Sequence, residues 1–143
     1  MGKINLSRVI AGGLLAGVII NIGELILNNV IAGQSWQAAL QALNRPPMGN
    51  EPMLYFILLG FGLGLMMIWI YAAIRARFGP GPTTAISAGL VAWALAYLYP
   101  NAGMMPLQLF PRELLLHSTL WGLFELPLAA LAGAWLYREK AAV

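Results

Sequence analysis

The sequence predicts an all-α fold, a polytopic membrane protein with four transmembrane helices and a short interfacial helix in the first outer loop. Of its 143 residues, 60% are hydrophobic and only 9% are charged, whereas an average soluble domain carries about 25% charged residues. Apolar stretches long enough to cross about 30 Å of hydrocarbon recur along the chain, and most charged residues lie at their ends. We therefore predict one membrane domain, residues 1–143, embedded in the lipid bilayer.

Composition also argues against several other classes of protein. The net charge is +3, but the eight basic residues are scattered at segment ends, so nucleic acid is not a predicted partner. The chain has no Cys, which excludes disulfides and thiolate-bound metals. Glu24, Glu125 and His117 would together suit iron, manganese or zinc. A di-metal helical bundle, however, normally uses more carboxylates and Glu-x-x-His motifs, so no metal site is predicted. The sequence does not identify a cofactor.

The first transmembrane helix is predicted to run from Val9 to Ile31, after Lys3 and Arg8. A secretory signal peptide is the alternative, but its apolar core is only about 7 to 15 residues long. This stretch is longer and contains polar side chains, so we expect a retained helix.

The next two elements are an interfacial helix and the second span. Residues 35–43 begin with a capping Ser and place apolar side chains at helical spacing, with Trp36 suited to the headgroup level. The second span is predicted from Met53 to Ala76. Within it, Gly60 and Gly64 form a GxxxG pair, which favours close packing of another helix.

The third and fourth spans follow a short basic turn. The third should begin at residue 83 or 84 and end at Tyr99–Pro100. The fourth should run from Arg112 to Tyr137, with Glu125 near its centre and Pro127 two residues later. An acid at a helix centre costs on the order of 3 kcal/mol in lipid, so it is expected to face a partner, a neighbouring helix or a water-filled cavity.

The distribution of basic residues predicts the orientation. Four spans place both termini on the same side of the membrane. Six of the eight basic residues lie near the termini or in the middle turn: Lys3, Arg8, Arg75, Arg77, Arg138 and Lys140. The positive-inside rule then places both termini in the cytoplasm, in a multi-pass protein of the bacterial inner membrane.

Short similarities within the chain indicate an internal repeat. The segment that begins at Gly13 resembles the one that begins at Gly89, at an offset of 76, because both read Gly-Leu-Leu/Val-Ala. The segment at Trp69 resembles that at Trp135, at an offset of 66, because both read Trp-Ile/Leu-Tyr. Two helical hairpins of the same orientation would then be related by an axis along the membrane normal.

Polar side chains follow one face of the first helix. Asn21, Glu24 and Asn28 recur at spacings of three and four, and this face continues through Gly13 and Gly17. Such a face is expected to point into the bundle, with the two glycines providing a packing surface.

The fourth helix carries a second stripe, His117, Trp121 and Glu125, at spacings of four. In the predicted topology, Glu24 and His117 both lie in the outer halves of their helices, so with Glu125 they would line a polar pocket open to the outside. In this interpretation the two glutamates exchange a proton or bind a cation, and His117 relays protons. The alternative is that these side chains only form hydrogen bonds between helices, worth about 0.6 kcal/mol each.

Parts of the chain resemble known families. The segment Ile22-Gly23-Glu24-Leu25, in the first of four predicted helices, resembles the small multidrug resistance transporters. That resemblance implies that Glu24 binds either protons or a cationic drug. Asn21-x-x-Glu24 is also similar to a pattern in the membrane-associated eicosanoid and glutathione enzymes. Taken whole, with segments 121–126 and 133–137, the chain resembles small four-helix bacterial membrane proteins, which implies no activity.

Three functions therefore remain open. The first is proton- or cation-coupled transport, or small-ligand binding, through the intramembrane carboxyl groups. The second is an accessory or structural subunit that packs against a larger membrane complex, or forms a homodimer, through its glycine faces. A membrane-embedded enzyme is third, because the sequence contains neither a hydroxyl-rich nucleophile site nor a glycine-rich phosphate loop.

Overall fold

A computed structural model describes residues 4–139, which form helices and turns and contain no strand. Among these residues, three helices are long and apolar enough to span a membrane: Leu6–Ile31, Asn50–Phe78 and Arg112–Leu136. The α-helices in chain order are α1 (Leu6–Ile26), α2 (Gly33–Ala42), α3 (Asn50–Phe78), α4 (Pro82–Trp93), α5 (Tyr99–Met104) and α6 (Arg112–Leu136).

The first helix changes its hydrogen-bond pattern near its end. Asn5 caps the start of α1, because its side chain accepts a hydrogen bond from the backbone N–H of Arg8 at 3.4 Å. After Ile26 the chain continues as a π-helical segment, Leu27–Ile31, which leads directly into α2. Such a segment holds one residue more per turn than an α-helix and therefore changes which side chains face the bundle.

The predicted third span differs from the structure. In the described part of the chain, five helices contain ten residues or more, and the third predicted span is not one long α-helix. It is divided into α4, the π-helical segment Ala94–Leu98 and α5, and Met105–Leu107 adds a 3-10 turn. The helical structure therefore continues past Pro100, where the sequence predicts its end. Pro100 has no N–H to donate to a carbonyl one turn earlier, and it lies where the hydrogen-bond pattern changes from the π-helical segment to α5; the N–H of Tyr99, just before it, bonds to the carbonyl of Ala94.

Glycines allow the helices to approach one another at the level of the backbone. A Cβ atom added to Gly64 of α3 would lie 2.6 Å from the backbone nitrogen of Gly17 in α1. A Cβ at Gly12 or at Gly133 would collide with the backbone of the other glycine, which brings α1 against α6. α4 in turn packs on α6, and a Cβ at Gly89 would lie 2.7 Å from the Cα of Pro127. The chain thus closes into a bundle in which α1 contacts α3 and α6, and α4 also contacts α3 and α6.

At one end of the bundle, the first and last residues of the described chain lie beside the turn between α3 and α4. We call this the terminal end. The guanidinium of Arg75 lies 5.8 Å and 5.2 Å from the ring centroids of Tyr71 and Tyr137 and forms an ion pair with Glu139 at 3.2 Å. The hydroxyl of Tyr137 also accepts a hydrogen bond from the backbone N–H of Asn5 at 3.3 Å.

The opposite end, which we call the capped end, is covered by α2. Its apolar side packs on the start of α6 and on the π-helical segment 27–31. The resulting apolar cluster contains Leu27, Ala32, Trp36, Ala39, Phe110, Leu114 and Trp121. Between the two ends the core consists mostly of small side chains, which is why the helices can lie so close together.

Candidate functional site

Two acidic side chains from different helices meet at a single tyrosine hydroxyl. The hydroxyl of Tyr97 donates a hydrogen bond to Oε1 of Glu24 at 2.5 Å and lies 3.3 Å from Oε2 of Glu125. Glu24 is on α1, Tyr97 is on the π-helical segment after α4, and Glu125 is on α6. Three elements that are distant in sequence therefore build one cluster, which we call the carboxyl cluster.

Glu24 is half-buried and receives hydrogen bonds on both carboxyl oxygens. Besides the bond from Tyr97, Nδ2 of Asn28 donates to Oε2 of Glu24 at 2.7 Å and to the backbone carbonyl of Glu24 at 2.8 Å. Both partners of Nδ2 are acceptors, so the orientation of the Asn28 amide is determined. Asn28 belongs to the π-helical segment 27–31.

Glu125 is more deeply buried, with only 6% of its surface exposed. Its Oε1 accepts a hydrogen bond from the indole N–H of Trp121, one turn earlier on α6, at 3.3 Å. The carboxyl group also lies against Gly23 of α1, so closely that a Cβ atom at that position would overlap it. Glycine at position 23 is thus required for Glu125 to reach the cluster.

Tyr97 is the member of the cluster that the sequence does not predict. Its ring is half-buried and packs on Gly122 of α6, where an added Cβ would lie 2.9 Å from the ring. Tyr97 and Asn28 each lie in one of the two π-helical segments of the chain's described part. Single-turn π segments occur frequently at functional sites, because the extra residue redirects a side chain.

The remaining predicted site residues lie elsewhere. Asn21 turns away from Glu24, because its Nδ2 donates to the backbone carbonyls of Gly17 at 2.8 Å and of Ile57 in α3 at 3.3 Å. His117 is exposed on the surface of α6. The structure thus brings Glu24, Glu125, Asn28 and Trp121 together and leaves out Asn21 and His117.

The four glycines predicted as packing surface all lie at contacts within the chain. Gly13 and Gly17 of α1 pack against the backbone and side chains of α3, and Gly64 of α3 packs against α1. Gly60 packs on the side-chain amide of Asn21, where an added Cβ would lie 2.8 Å from Nδ2. Asn21 and Gly60 therefore form part of the α1–α3 contact rather than part of the carboxyl cluster.

The cluster has no positive partner among residues 4–139, where the single salt bridge joins Arg75 to Glu139 at the terminal end. Within the same residues, no group of three His, Cys, Asp or Glu side chains is placed to hold a metal ion. The two carboxyl groups can accept, hold and release a proton, the phenol can pass one on, and the amide and the indole donate hydrogen bonds to the carboxyl oxygens. They can also present carboxylate oxygens to a small cation.

The apolar cluster at the capped end forms a layer that separates the carboxyl cluster from α2. Trp121 belongs to both, because its ring packs in the apolar cluster beneath α2 while its N–H reaches Glu125. Leu27, which follows Glu24 by three residues on the same helix, lies in this layer too.

Comparison with known proteins finds no match to this chain among protein-family models, curated proteins or solved structures.

Proposed function

We propose that this chain is a four-span protein of the bacterial inner membrane in which Glu24 and Glu125 exchange a proton or bind a cation, for transport or for small-ligand binding. The observation that carries the proposal is the convergence of two carboxyl groups, from different helices, on the hydroxyl of Tyr97, with no cationic side chain of residues 4–139 paired to them. Ionisable groups at membrane depth are costly and usually mark proton or ion pathways.

The fourth span is supported by the path of residues 82–104. α3 ends and α4 begins at the terminal end, as the hydrogen bond from the N–H of Gly81 to the hydroxyl of Tyr71 indicates, at 3.5 Å. Residues 110 and 114 lie in the apolar cluster at the capped end. The consecutive helical segments between them rise about 1.5 Å per residue, enough to cross about 30 Å of hydrocarbon. The π-helical segment interrupts the α-helix but leaves its path continuous.

The internal repeat is supported by matching helix contacts. Gly13 packs on Leu65 in the first hairpin, as Gly89 packs on Pro127 in the second. These pairs give an offset of 76 between the first helices (89 − 13) and of 62 between the second helices (127 − 65).

A second matching contact lies nearer the middle of the bundle. Asn21 contacts Gly60 as Tyr97 contacts Gly122, which gives the same two offsets, 76 (97 − 21) and 62 (122 − 60). The similarity between the Trp69 and Trp135 segments gives an offset of 66 between the second helices instead. The alignment from helix contacts therefore differs from the alignment by sequence by four residues, about one helical turn. Parallel repeats related by an axis along the membrane normal are a common transporter architecture.

The alternative, a structural subunit that docks through glycine faces, has less support. Gly13, Gly17, Gly60 and Gly64 all contact atoms of their own chain and are not free to receive another helix. A homodimer or a larger complex would have to use other surfaces.

The test compares removal of charge with removal of polarity at the two glutamates. Glutamine keeps the shape and most hydrogen bonds of glutamate but cannot ionise, so Glu24→Gln and Glu125→Gln should remain folded in detergent and yet lose ligand-coupled proton or cation binding. Each variant would be reconstituted in liposomes, and proton, Na⁺ and K⁺ movements would be recorded with indicator dyes. Glu51→Gln, at the exposed start of α3, is the matched control.

Two results would favour a structural role instead. One is that both Gln variants match the parent in every assay. The other is that Glu24→Leu and Glu125→Leu change stability alone.

A further inference from the structure

We propose that the ion handled by the carboxyl cluster is the proton, and that the Tyr97 hydroxyl relays it between Glu125 and Glu24. This inference rests on the proposed function and assigns its ion. It also adds a residue, Tyr97, that the sequence does not indicate.

The first argument is a count of hydrogens. A phenol has one O–H, so it can donate to one carboxyl group at a time. The shorter contact, 2.5 Å to Oε1 of Glu24, takes that hydrogen. The contact between the Tyr97 oxygen and Oε2 of Glu125, at 3.3 Å, is then a contact between two acceptors unless Glu125 itself carries a proton and donates it. The geometry therefore points to a protonated Glu125.

The surroundings of the two carboxyl groups agree with this assignment. Glu24 is half-buried, and both of its carboxyl oxygens accept hydrogen bonds, at 2.5 Å and 2.7 Å, so neither oxygen needs a hydrogen of its own to donate. Glu125 is nearly fully buried, and its contacts with Trp121 and Tyr97 are both longer, at 3.3 Å, so the two carboxyl groups are not equivalent.

The second argument concerns the groups that a metal cation would meet. Three of the neighbouring groups present hydrogens toward the carboxyl oxygens: the Asn28 amide, the Trp121 indole and the Tyr97 hydroxyl. An indole N–H has no acceptor to offer, and the Asn28 oxygen points away because Nδ2 holds two acceptors. Gly23 also lies directly against the Glu125 carboxyl. For a proton, the cluster thus provides hydrogen-bond acceptors and donors in series. For a Na⁺ or K⁺ ion, it provides few free oxygen ligands.

Within the part of the chain that the structure describes, no other ionisable side chain faces the cluster from the elements packed around it. α1 contributes Glu24, the segment 94–98 contributes Tyr97, and α6 contributes Glu125. The neighbouring part of α3 presents Ile57 and Gly60, α2 has no ionisable residue, and His117 is on the exposed face of α6.

The transfer step balances without any other reactant. The O–H bond of Glu125 breaks as its proton moves to the Tyr97 oxygen, and the O–H bond of Tyr97 breaks as its own proton moves to Oε1 of Glu24. One proton thereby passes from Glu125 to Glu24, and Tyr97 is neutral before and after. The Glu125–Tyr97 distance of 3.3 Å has to shorten for this step, whereas the Tyr97–Glu24 contact is already close.

The test uses the full chain in lipid and reads protonated carboxyl groups by their infrared C=O stretch. At neutral pH we expect one such band that disappears in Glu125→Gln and remains in Glu24→Gln. Tyr97→Phe keeps the ring on Gly122 but removes the hydroxyl, so it should shift the band and abolish proton movement in liposomes. Tyr99→Phe is the control, because that side chain is 73% exposed. Adding Na⁺ or K⁺ should leave the band unchanged.

Three results would overturn the relay: a band assigned to Glu24 alone, a band abolished by Na⁺ or K⁺, or a fully active Tyr97→Phe variant. A band abolished by Na⁺ or K⁺ would indicate a cation site and leave the proposed function intact. Gln variants that match the parent in every assay would instead contradict the proposed function itself. If Tyr97→Phe fails to fold, ring-labelled tyrosine in the unmutated chain replaces it. A tyrosine band should then change with pH together with the carboxyl band, and an unchanged tyrosine band would count against the relay.

Discussion

At the scale of single residues, Gly23 illustrates how closely the carboxyl cluster depends on its neighbours. A methyl group at position 23 would overlap the Glu125 carboxyl and push it away from Tyr97 and Trp121. We expect Gly23→Ala to destabilise the protein by about 1–2 kcal/mol, the usual net value of one or two hydrogen bonds. Unfolding in detergent measures this.

The control is Gly62→Ala on α3, where an added Cβ meets nothing within 4 Å. That substitution should stabilise the helix by about 0.5–1 kcal/mol, because alanine favours helix more than glycine does. In a Glu125→Ala background, Gly23→Ala should not lower the free energy of unfolding, since the colliding carboxyl group is gone. An equal penalty in both backgrounds would show that Gly23 packs against something other than Glu125.

Sequence spacing predicts some of the cluster and fails for the rest, for a geometric reason. Residues four apart on an α-helix differ by about 40° in direction, so eight residues accumulate about 80°. Trp121 therefore still shares the buried side of α6 with Glu125, while His117 has rotated to the exposed side. Asn21 likewise differs by about 60° from Glu24, and this difference directs it to α3.

Tyr97 could not be predicted by spacing at all. A tyrosine in an apolar helix is usually an interface anchor, and its direction here depends on the π-helical segment 94–98, which has no clear sequence signature. The sequence did contain one signal for Tyr97: a tyrosine with a polar hydroxyl, in the second half of a predicted span, in a chain whose other spans carry two glutamates.

At the scale of helices, the contact between α1 and α3 depends on the absence of side chains. A Cβ at Gly64 would lie 2.5 Å from the backbone oxygen of Gly13 and 2.6 Å from the backbone nitrogen of Gly17. Backbone atoms cannot yield as a side chain can, so Gly64→Ala should force the helices apart. We expect a loss of stability of about 1–3 kcal/mol, typical of overpacking, and more for Gly64→Leu.

Gly62→Ala serves as the matched control, two residues earlier on the same helix and without a neighbour in reach. Thermal unfolding in detergent should separate the two variants clearly. Equal midpoints would mean that the α1–α3 contact is looser than the structure has it.

Helix existence could be predicted from the sequence more reliably than helix continuity. Long apolar stretches at positions 9–31, 53–76 and 112–137 each contain a helix, because burial of backbone polar groups in an apolar environment requires one. The third predicted span, from residue 83 or 84 to Pro100, is richer in small and polar residues, and it is divided between α4 and α5 by the π-helical segment. The change in hydrogen-bond pattern brings Trp93 and Asn101 both onto α6, where they bond to the backbone of Thr119 and Leu115.

At the scale of the whole molecule, the terminal end explains why an even number of crossings is proposed. Asn5, Arg75, Gly81 and Tyr137 are joined there by hydrogen bonds and ring contacts, so both ends of the described chain lie with the α3–α4 turn. The basic residues concentrated at this end favour the cytoplasmic side. We therefore expect α2 and the segment 105–111 to face the outside.

Single cysteines in this Cys-free chain test the orientation. Gln41→Cys on α2 and Gln108→Cys near the 3-10 turn are both exposed and should react with an impermeant thiol reagent in intact cells. For the α3–α4 turn, Pro80→Cys is preferable to Gly79→Cys, because Gly79 has a φ of +83° that a side chain would strain. Position 80 is exposed as well, but it should react only after the membrane is permeabilised. Labelling at position 80 in intact cells, with positions 41 and 108 protected, would reverse the orientation. Labelling at all three positions would rule out four complete crossings, because the capped and terminal ends would then share one side of the membrane.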